Sequence, residues 1–287
     1  MENKASQSTN VNGNKGIPDN PWVSIITPVL NGVKYLEECI QSILNQNYPY
    51  IEHVIIDGGS SDGTVDVLSK YEDKYPERIS FISEPDKSAE EAWNKGLAIA
   101  KGEVFGWLGA DDIYEPDAIQ TVIEFFRSNP DAYFVFGDLN LIDESGQIFR
   151  RIHCTDFDLD EIINNKCEIG ATSVFFRRAV VEHVGLLNTK TRISELDYWI
   201  RVAKVFQIRR IDKVLSSLRI HEGGFSGSIE ASKAVIHDGF FISLRHGGSI
   251  FSRRAKSYCT MKLAPIIEGL RPLIGFAYPF IKRLLRM

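Results

Sequence analysis

Between Trp22 and Phe136 the chain alternates short β-branched or aromatic runs with stretches of helical period, and this alternation restricts the fold more than any other feature. The run Trp22 to Leu30 (WVSIITPVL) closes on Asn31-Gly32, and helical spacing follows from Val33 to Asn45. His53 to Asp57 (HVIID) is a second strand. Gly58-Gly59-Ser60-Ser61-Asp62-Gly63-Thr64 then turns the chain into a helix reaching about Tyr75. The glycines permit the tight turn, and Asp62 or Thr64 can cap the helix. Ile79 to Ser83, Val104 to Leu108 and Ala132 to Phe136 are further strands. Ala89, Ala92, Trp93, Gly96, Leu97 and Ala100 form the stripe of a helix packed on a sheet, and Ala118, Ile119, Val122, Ile123 and Phe126 mark another. Strands alternating with helices of this length predict βαβ units, hence an α/β fold with a mostly parallel, Rossmann-like sheet flanked by helices.

After Gly137 the pattern becomes irregular. A hairpin is expected around Glu144-Ser145-Gly146, a strand at Thr172 to Phe176, a helix from about Ser194 to Val205, and strands at Ile208 to Ile211 and Val214 to Ile220. This smaller, mixed second half is expected to fold against the open edge of the first and shape the second side of a cleft. Ligands of an open α/β sheet bind beyond the carboxyl ends of its strands. There the chain sets Asp57 and, within FGWLGADDIYE, the adjacent Asp111 and Asp112. Neighbouring carboxylates repel, and a hard divalent cation with oxygen ligands neutralises them; the bland alternative is that they cap the helix starting near Pro116 or Asp117. A carboxylate only accepts hydrogen bonds, so Asp57 reads a base N–H or a ribose hydroxyl, or closes its own turn. No GxGxxG follows the first strand and no GxxxxGK with Ser or Thr occurs, so dinucleotide and P-loop chemistry are not expected.

Three stretches in order, SIITPVLNG, IEHVIIDGGSSDGTVDVL and ISEPDKSAEEAWNKGLAIAKGEVFGWLGADDIY, cover roughly Val23 to Tyr114 and resemble inverting glycosyltransferase family 2. Members have the GT-A fold and use nucleotide-diphospho-sugar donors. The resemblance implies a nucleotide pocket from Thr27, Pro28 and Asn31, with Asp57 near the base and Asp111 binding Mn²⁺ or Mg²⁺. It also puts Asp86 of EPDKS, and Asn94 and Lys95 of AWNKG, along the donor site. Lys95 pairs with phosphate or is a surface helix lysine; Asp112 contacts the donor sugar or holds its neighbour. The chain departs from the family in Gly58, where a second acid is common, and in Gly109, where the usual DxD begins. SELDYWIRVAK resembles the helix that carries the catalytic base, which puts Glu195 at the base position with Asp197 as the alternate, although a carboxylate at a helix start also suits the dipole. SLRIHEGGFSGS resembles the segment following the core, where His221 approaches the diphosphate or the metal.

At 287 residues, 44% apolar and 25% charged, the chain suits one large domain with an appendage. The expected division is a disordered leader over 1–20, a GT-A domain over 21–220 and a basic, apolar helical extension over 221–287. The leader is polar and lacks the apolar core of a secretory signal. Cys39, Cys154, Cys167 and Cys259 form no CxxC, which predicts neither a zinc site nor a disulfide framework and fits a cytoplasmic protein.

From Arg245 to Met287 there are nine Lys or Arg and one acid, Glu268, in a chain whose formal charge is −5. The uncharged stretch Pro272 to Ile281, between Arg271 and the trio Lys282, Arg283 and Arg286, is too short to span a bilayer. It suits a membrane interface, with Phe276, Tyr278 and Phe280 at headgroup level and cations on anionic lipid, or it packs on the domain. Pro265, Pro272 and Pro279 are expected to break or kink any helix there, and the apolar content disfavours nucleic acid. The expectation is therefore an inverting transferase, peripheral on the inner face of the cytoplasmic membrane, moving a sugar from a UDP-sugar to an acceptor hydroxyl on a carbohydrate or lipid-linked glycan in cell-surface polysaccharide synthesis. One rival, a sugar nucleotidyltransferase, calls for a glycine- and arginine-rich triphosphate loop where PVLNG stands. The other is a non-catalytic nucleotide-sugar-binding scaffold.

Overall fold

The computed structural model describes residues 16–165, 169–224 and 229–274. Most of the polar leader, Cys167, and the tail with Phe276, Tyr278, Pro279, Phe280, Lys282, Arg283 and Arg286 lie outside the described residues.

The first half follows the predicted alternation: β1 (Val23–Val29), α1 (Val33–Leu44), β2 (Ile51–Asp57), α2 (Thr64–Lys74), β3 (Ile79–Ser83), α3 (Ala89–Ile99) and β4 (Val104–Trp107). All three pairings among these strands are parallel, and β1 lies between β2 and β4. A strand covered on both faces is buried along its length, and in β1 every residue but Pro28 is buried, with its two polar side chains paired, Ser24 with Glu52 and Thr27 with His53. Pro28 lacks an N–H for the ladder, yet it stands beyond the last β4 pair, Ile26 with Trp107, where that neighbour has ended. The α3 stripe packs as expected except at its start, where Ala89 is exposed and Glu90 is buried. Ser88 caps this helix by accepting from the Glu91 N–H.

The second half contains β5 (Ile113–Tyr114), α4 (Ala118–Ser128), β6 (Phe134–Ile142), β7 (Ile148–Ile152), α5 (Leu159–Asn164), β8 (Val174–Arg177), α6 (Arg178–Val184), α7 (Ser194–Ala203) and β9 (Ile208–Arg219). It extends the parallel sheet through β8, giving the order β3-β2-β1-β4-β8-β6-β9-β5 with β7 on β6. Among the described residues antiparallel pairs enter only with β5, β7 and β8, so the mixed character belongs to this half.

Three predicted boundaries change. The strand expected at Ala132 to Phe136 begins two residues later and runs on to Ile142, because Asp138 and Asn140 are buried in it with partners: Arg210 for Asp138 and Glu115 for Asn140. Thr172 lies in a 3₁₀ turn, Ala171–Ser173, ahead of β8. The two strands expected at 208–211 and 214–220 are one strand with a bulge: Ile211 pairs with Gly137, Val214 with Asp138 and Ser216 with Leu139.

The extension supplies α8 (Ile229–Arg245) and α9 (Arg253–Ile274). Ile242 of α8 joins Ile162, Ile163, Leu196 and Ile200 in an apolar cluster, which ties the extension to α5 and α7. Of the two outcomes expected at the prolines, a break does not occur: α9 runs through both Pro265 and Pro272. A helix-interior proline costs about 3 kcal/mol, and packing opposes that cost: Tyr258 stacks on Phe240 of α8 at 4.5 Å. Among the described residues no helix is long and apolar enough to cross a membrane.

Candidate active site

The carboxyl ends of β1, β2 and β4 each lead into a loop, and hydrogen bonds between two of these loops build the first wall of the site. Asn31, after β1, has φ +52°, a left-handed conformation that asparagine tolerates. Its N–H donates to Ser60 Oγ at 2.7 Å, and its Oδ1 accepts from the Ser61 N–H at 2.9 Å. Asp62 Oδ2 accepts from the Val33 N–H and Thr64 Oγ1 from the Gly32 N–H, so the free amides at the start of α1 are satisfied from the β2–α2 loop. Asp57 is wholly buried. Its Oδ2 accepts from the Gly59 N–H, the Ser60 N–H and Ser83 Oγ, and its Oδ1 from Ser60 Oγ. In this arrangement Asp57 closes its own turn.

After β4 the chain turns at Gly109, whose carbonyl accepts from the Asp112 N–H at 3.1 Å. A Cβ at Gly109 would meet Asp112 Oδ2 at 2.6 Å and Asp111 Oδ1 at 2.8 Å. The turn folds both carboxylates back over the position where the family's first acid would stand, and that explains the glycine. Asp111 and Asp112 then diverge. Asp112 is buried, and its Oδ1 accepts from the Arg219 N–H at 2.9 Å. Burial first, and the charge of Asp111 second, hold its carboxyl well above the usual carboxylate range. Asp111 keeps 35% of its side chain exposed, with Oδ2 at 2.9 Å from His221 Nε2.

Arg219, which the sequence does not single out, organises this corner. It is buried, with Nε donating to the Asp111 carbonyl at 2.9 Å and Nη2 to Glu38 Oε2 at 2.5 Å. Its guanidinium lies over the Tyr35 ring at 4.4 Å, and Tyr35 also meets the His221 ring at 5.1 Å. The only sequence signal for it is an arginine two residues before His221 in a strand-like run, which puts the two on one face.

Opposite stands the start of α7. Trp199 is buried and stacks on Trp107 at 5.1 Å, and Trp107 stacks on Trp93 at 5.3 Å. Glu195, one turn before Trp199, shares its inward face and lines a cavity of about 300 Å³ with Asp111, Asp112, Arg219 and His221. Among the described residues the Glu195 carboxyl has no hydrogen-bond partner on another side chain, and burial, against a hydrogen bond from its own backbone N–H, raises its pKa to about 7. Asp197 turns away: Oδ2 accepts from Arg201 Nε and Oδ1 faces His246 Nε2, each at 2.9 Å.

A second cavity of about 270 Å³ is lined by Pro28, Gly58, Asp86 and Ser88. The other expected donor residues have partners within the protein. Thr27 is buried with Oγ1 at 2.9 Å from His53 Nε2. Asn94 holds the Leu187 backbone through both its N–H and its carbonyl. Lys95 pairs with Glu84 at 2.7 Å and with Asp86, and these bonds raise its pKa.

Among the described residues no three His, Cys, Asp or Glu side chains form a closed metal cage. Asp111 with His221 is instead an open carboxylate–imidazole pair. It fits a divalent ion that takes one or two protein ligands and completes its shell with phosphate oxygens and water.

Residues 24–185 match the family described as Glycosyl transferase family 2. A Bacillus subtilis protein named, provisionally, as the teichuronic acid biosynthesis glycosyltransferase TuaG is 29% identical over 211 residues, 72% of this chain and 82% of the relative. A PGL/p-HBAD biosynthesis glycosyltransferase of Mycobacterium bovis is 32% identical over 183 residues, 63% of this chain and 69% of the relative. Among solved structures, S. aureus TarS 1-349 in complex with UDP-GlcNAc superposes with a TM-score of 0.60 at 16% identity, over 83% of this chain and 70% of that one. The mannosyltransferase PcManGT from Pyrobaculum calidifontis, in complex with GDP-Man and Mn²⁺, gives 0.62 at 16% identity, over 95% and 86%. At these identities the two structures share the fold.

Proposed function

The chain belongs to glycosyl transferase family 2, and from that premise we propose that it moves a sugar from a UDP-sugar to an acceptor hydroxyl on a cell-surface glycan, with inversion at the anomeric carbon. The observation that carries this reading is the shared cavity, with Asp111 and His221 on one wall and Glu195, free of other side chains among the described residues, on the other. Relatives named for teichuronic acid and PGL/p-HBAD biosynthesis support a cell-surface glycan product, and neighbours bound to UDP-GlcNAc and GDP-Man support a nucleotide-sugar donor.

The nucleoside occupies the cavity beside Pro28 and Asp86, where Lys95 holds Asp86; Thr27, Asn31, Asp57 and Asn94 lie outside that lining and hold the neighbouring backbone and loops. The sugar lies toward the larger cavity. Asp111 and His221 would hold a divalent cation, Mn²⁺ or Mg²⁺, which would supply positive charge against the departing diphosphate. Arg219 holds the Asp111 backbone and the Asp112 carboxylate in place, so the exposed carboxylate of Asp111 stays aimed at the cleft. Glu195 accepts the proton of the acceptor hydroxyl. That oxygen forms its bond to the anomeric carbon as the carbon–diphosphate bond breaks, and the bonding pair leaves with the nucleoside diphosphate. One displacement inverts the centre. A base with a pKa near 7 is matched to this task at neutral pH. Family membership speaks against the nucleotidyltransferase, and a carboxyl positioned on the cavity lining speaks against the scaffold.

The test is calorimetric UDP affinity of wild type and Asp111→Asn, each with and without Mn²⁺. Mn²⁺ is expected to tighten wild-type binding tenfold or more and to leave the variant unchanged. Equal affinities in all four cases overturn the reading.

Peripheral membrane attachment has support of its own within the described residues. Between α8 and α9, Ile250 is 66% and Phe251 91% exposed, flanked by Arg245, Arg253 and Lys256. An apolar tip ringed by cations suits an anionic bilayer surface.

A further inference from the structure

A cavity of about 720 Å³, within the ~300–1,000 Å³ range of ligand sites, opens between the first turn of α3, the loop at 189–192 and the facing sides of α8 and α9. Its lining divides by charge. Glu90 is only 8% exposed, and its carboxylate has no hydrogen-bond or ion-pair partner among the described residues. Its oxygens still reach the solvent of the cavity, and because a carboxylate only accepts, a ligand that displaces that water must bring O–H or N–H groups. Around it stand Lys190, Arg192, Lys233 and Lys262, exposed and without carboxylate partners among the described residues. Asp238, the other acid on the lining, accepts from Thr191 Oγ1 and the Arg192 N–H, each at 2.9 Å, with His237 Nδ1 at 3.0 Å, so it holds the loop and leaves the four cations uncompensated.

We propose that this cavity is the acceptor subsite and that it takes a glycosyl phosphate, with sugar hydroxyls on Glu90 and the phosphate on Arg192 and the three lysines. Neither half of the lining alone selects such a ligand. A neutral sugar leaves the cations without a partner, and inorganic phosphate leaves Glu90 unsatisfied and repelled. A phosphate monoester or diester on a sugar brings anionic oxygens for the guanidinium and ammonium groups and hydroxyl donors for the carboxylate. Met261 and Pro265 add an apolar side for the C–H face of the ring. The cavity adjoins the reaction: Ser88 lines both it and the cavity beside Pro28, and the charge of Glu90 reaches Glu195, where it favours the protonated form. The proposal rests on the glycosyltransferase reading for the word acceptor, while the binding itself is testable without it.

The probe is glucose 1-phosphate, titrated into the full chain by calorimetry with and without UDP, against methyl glucoside and inorganic phosphate. Glucose 1-phosphate is expected to bind at least tenfold more tightly than either control. The double variant Lys233→Glu/Lys262→Glu should weaken it tenfold or more. Glu90→Gln should weaken glucose 1-phosphate and, by removing the repulsion, tighten inorganic phosphate. UDP affinity, measured in parallel, is expected to persist in every variant and reports that each is folded; its loss in wild type fails the donor reading without touching this one. Dodecyl-phosphate glucose distinguishes the sources: tighter binding than glucose 1-phosphate supports a lipid-linked acceptor, and equal binding supports a soluble one. Glucose 1-phosphate no tighter than the controls, or indifferent to charge reversal, overturns the proposal.

Discussion

His221 Nε2 lies 2.9 Å from Asp111 Oδ2 although 110 residues separate the two in the chain. Their meeting depends on β5 and β9 pairing in one sheet, since β5 follows directly on the Asp111 turn and His221 follows directly on β9. The open side of the cleft is therefore assembled by the second half of the fold, and the strongest tests fall on residues whose position that half determines.

Glu195→Gln is expected to keep UDP affinity while turnover falls about a hundredfold or more, the usual scale for losing a positioned base. Wild-type turnover should rise with pH and level off above about 7, where Glu195 is ionised, and the variant's residual rate should lack that rise. Stability should move the opposite way. Because the folded carboxyl titrates near 7 and the unfolded one near its ordinary 4.5, the folded state loses stability as pH climbs through that window. Glu195→Gln should therefore raise Tm at pH 8 and leave it nearly unchanged at pH 4, as thermal melts at the two pH values will show.

Asp197→Asn tests the alternate assignment through stability. Asp197 is buried between Arg201 and His246, with Arg245 Nη1 at 3.7 Å. Removing one partner of such a cluster costs about 3–5 kcal/mol. Urea unfolding should show that loss while the folded variant binds UDP as wild type does. Unchanged stability with turnover abolished would instead make Asp197 the base.

Gly109→Ala puts a methyl where Asp112 Oδ2 and Asp111 Oδ1 now lie within 3 Å of the new carbon. Overpacking of this kind costs about 1–3 kcal/mol, and here the atoms that must yield belong to the site. The Mn²⁺-dependent part of UDP affinity should drop tenfold or more. Calorimetry of the variant showing full Mn²⁺ enhancement would mean that the turn relaxes without moving Asp111.

Replacing Ile250 and Phe251 with Asp should lower co-sedimentation with phosphatidylglycerol vesicles, as should high salt acting on Arg245, Arg253 and Lys256, each worth about 1 kcal/mol near such a surface. Binding that is indifferent to both changes argues against docking through this tip.

The first half of the fold was legible because its instructions are local: a strand pattern, a turn signal and a helical stripe follow one another within about thirty residues. The full length of β6 was not. Asp138 and Asn140 read as the end of a strand until their partners Arg210 and Glu115 arrive from elsewhere in the chain. The same limit applies to the site. The inward face of Glu195 follows from helix geometry and Trp199, whereas the role of Asn94 as a clamp on Leu187, 93 residues away, has no local signature. Nor does that of Arg219, whose burial is tolerable only because Glu38, Tyr35 and two loop carbonyls converge on it.

The bulge in β9 acts as a phase setter for the catalytic corner. Two steps along β6, from Gly137 to Leu139, are matched by five along β9, from Ile211 to Ser216. Side chains alternate faces with every residue, so an odd surplus reverses which face the downstream residues present. Arg219 and His221 meet Asp112 and Asp111 only in that reversed phase. Around Asp212 and Lys213 the chain is therefore constrained in its count more than in its chemistry: a side chain there can change at little cost, while one residue gained or lost would turn the arginine and the histidine out of the cleft together.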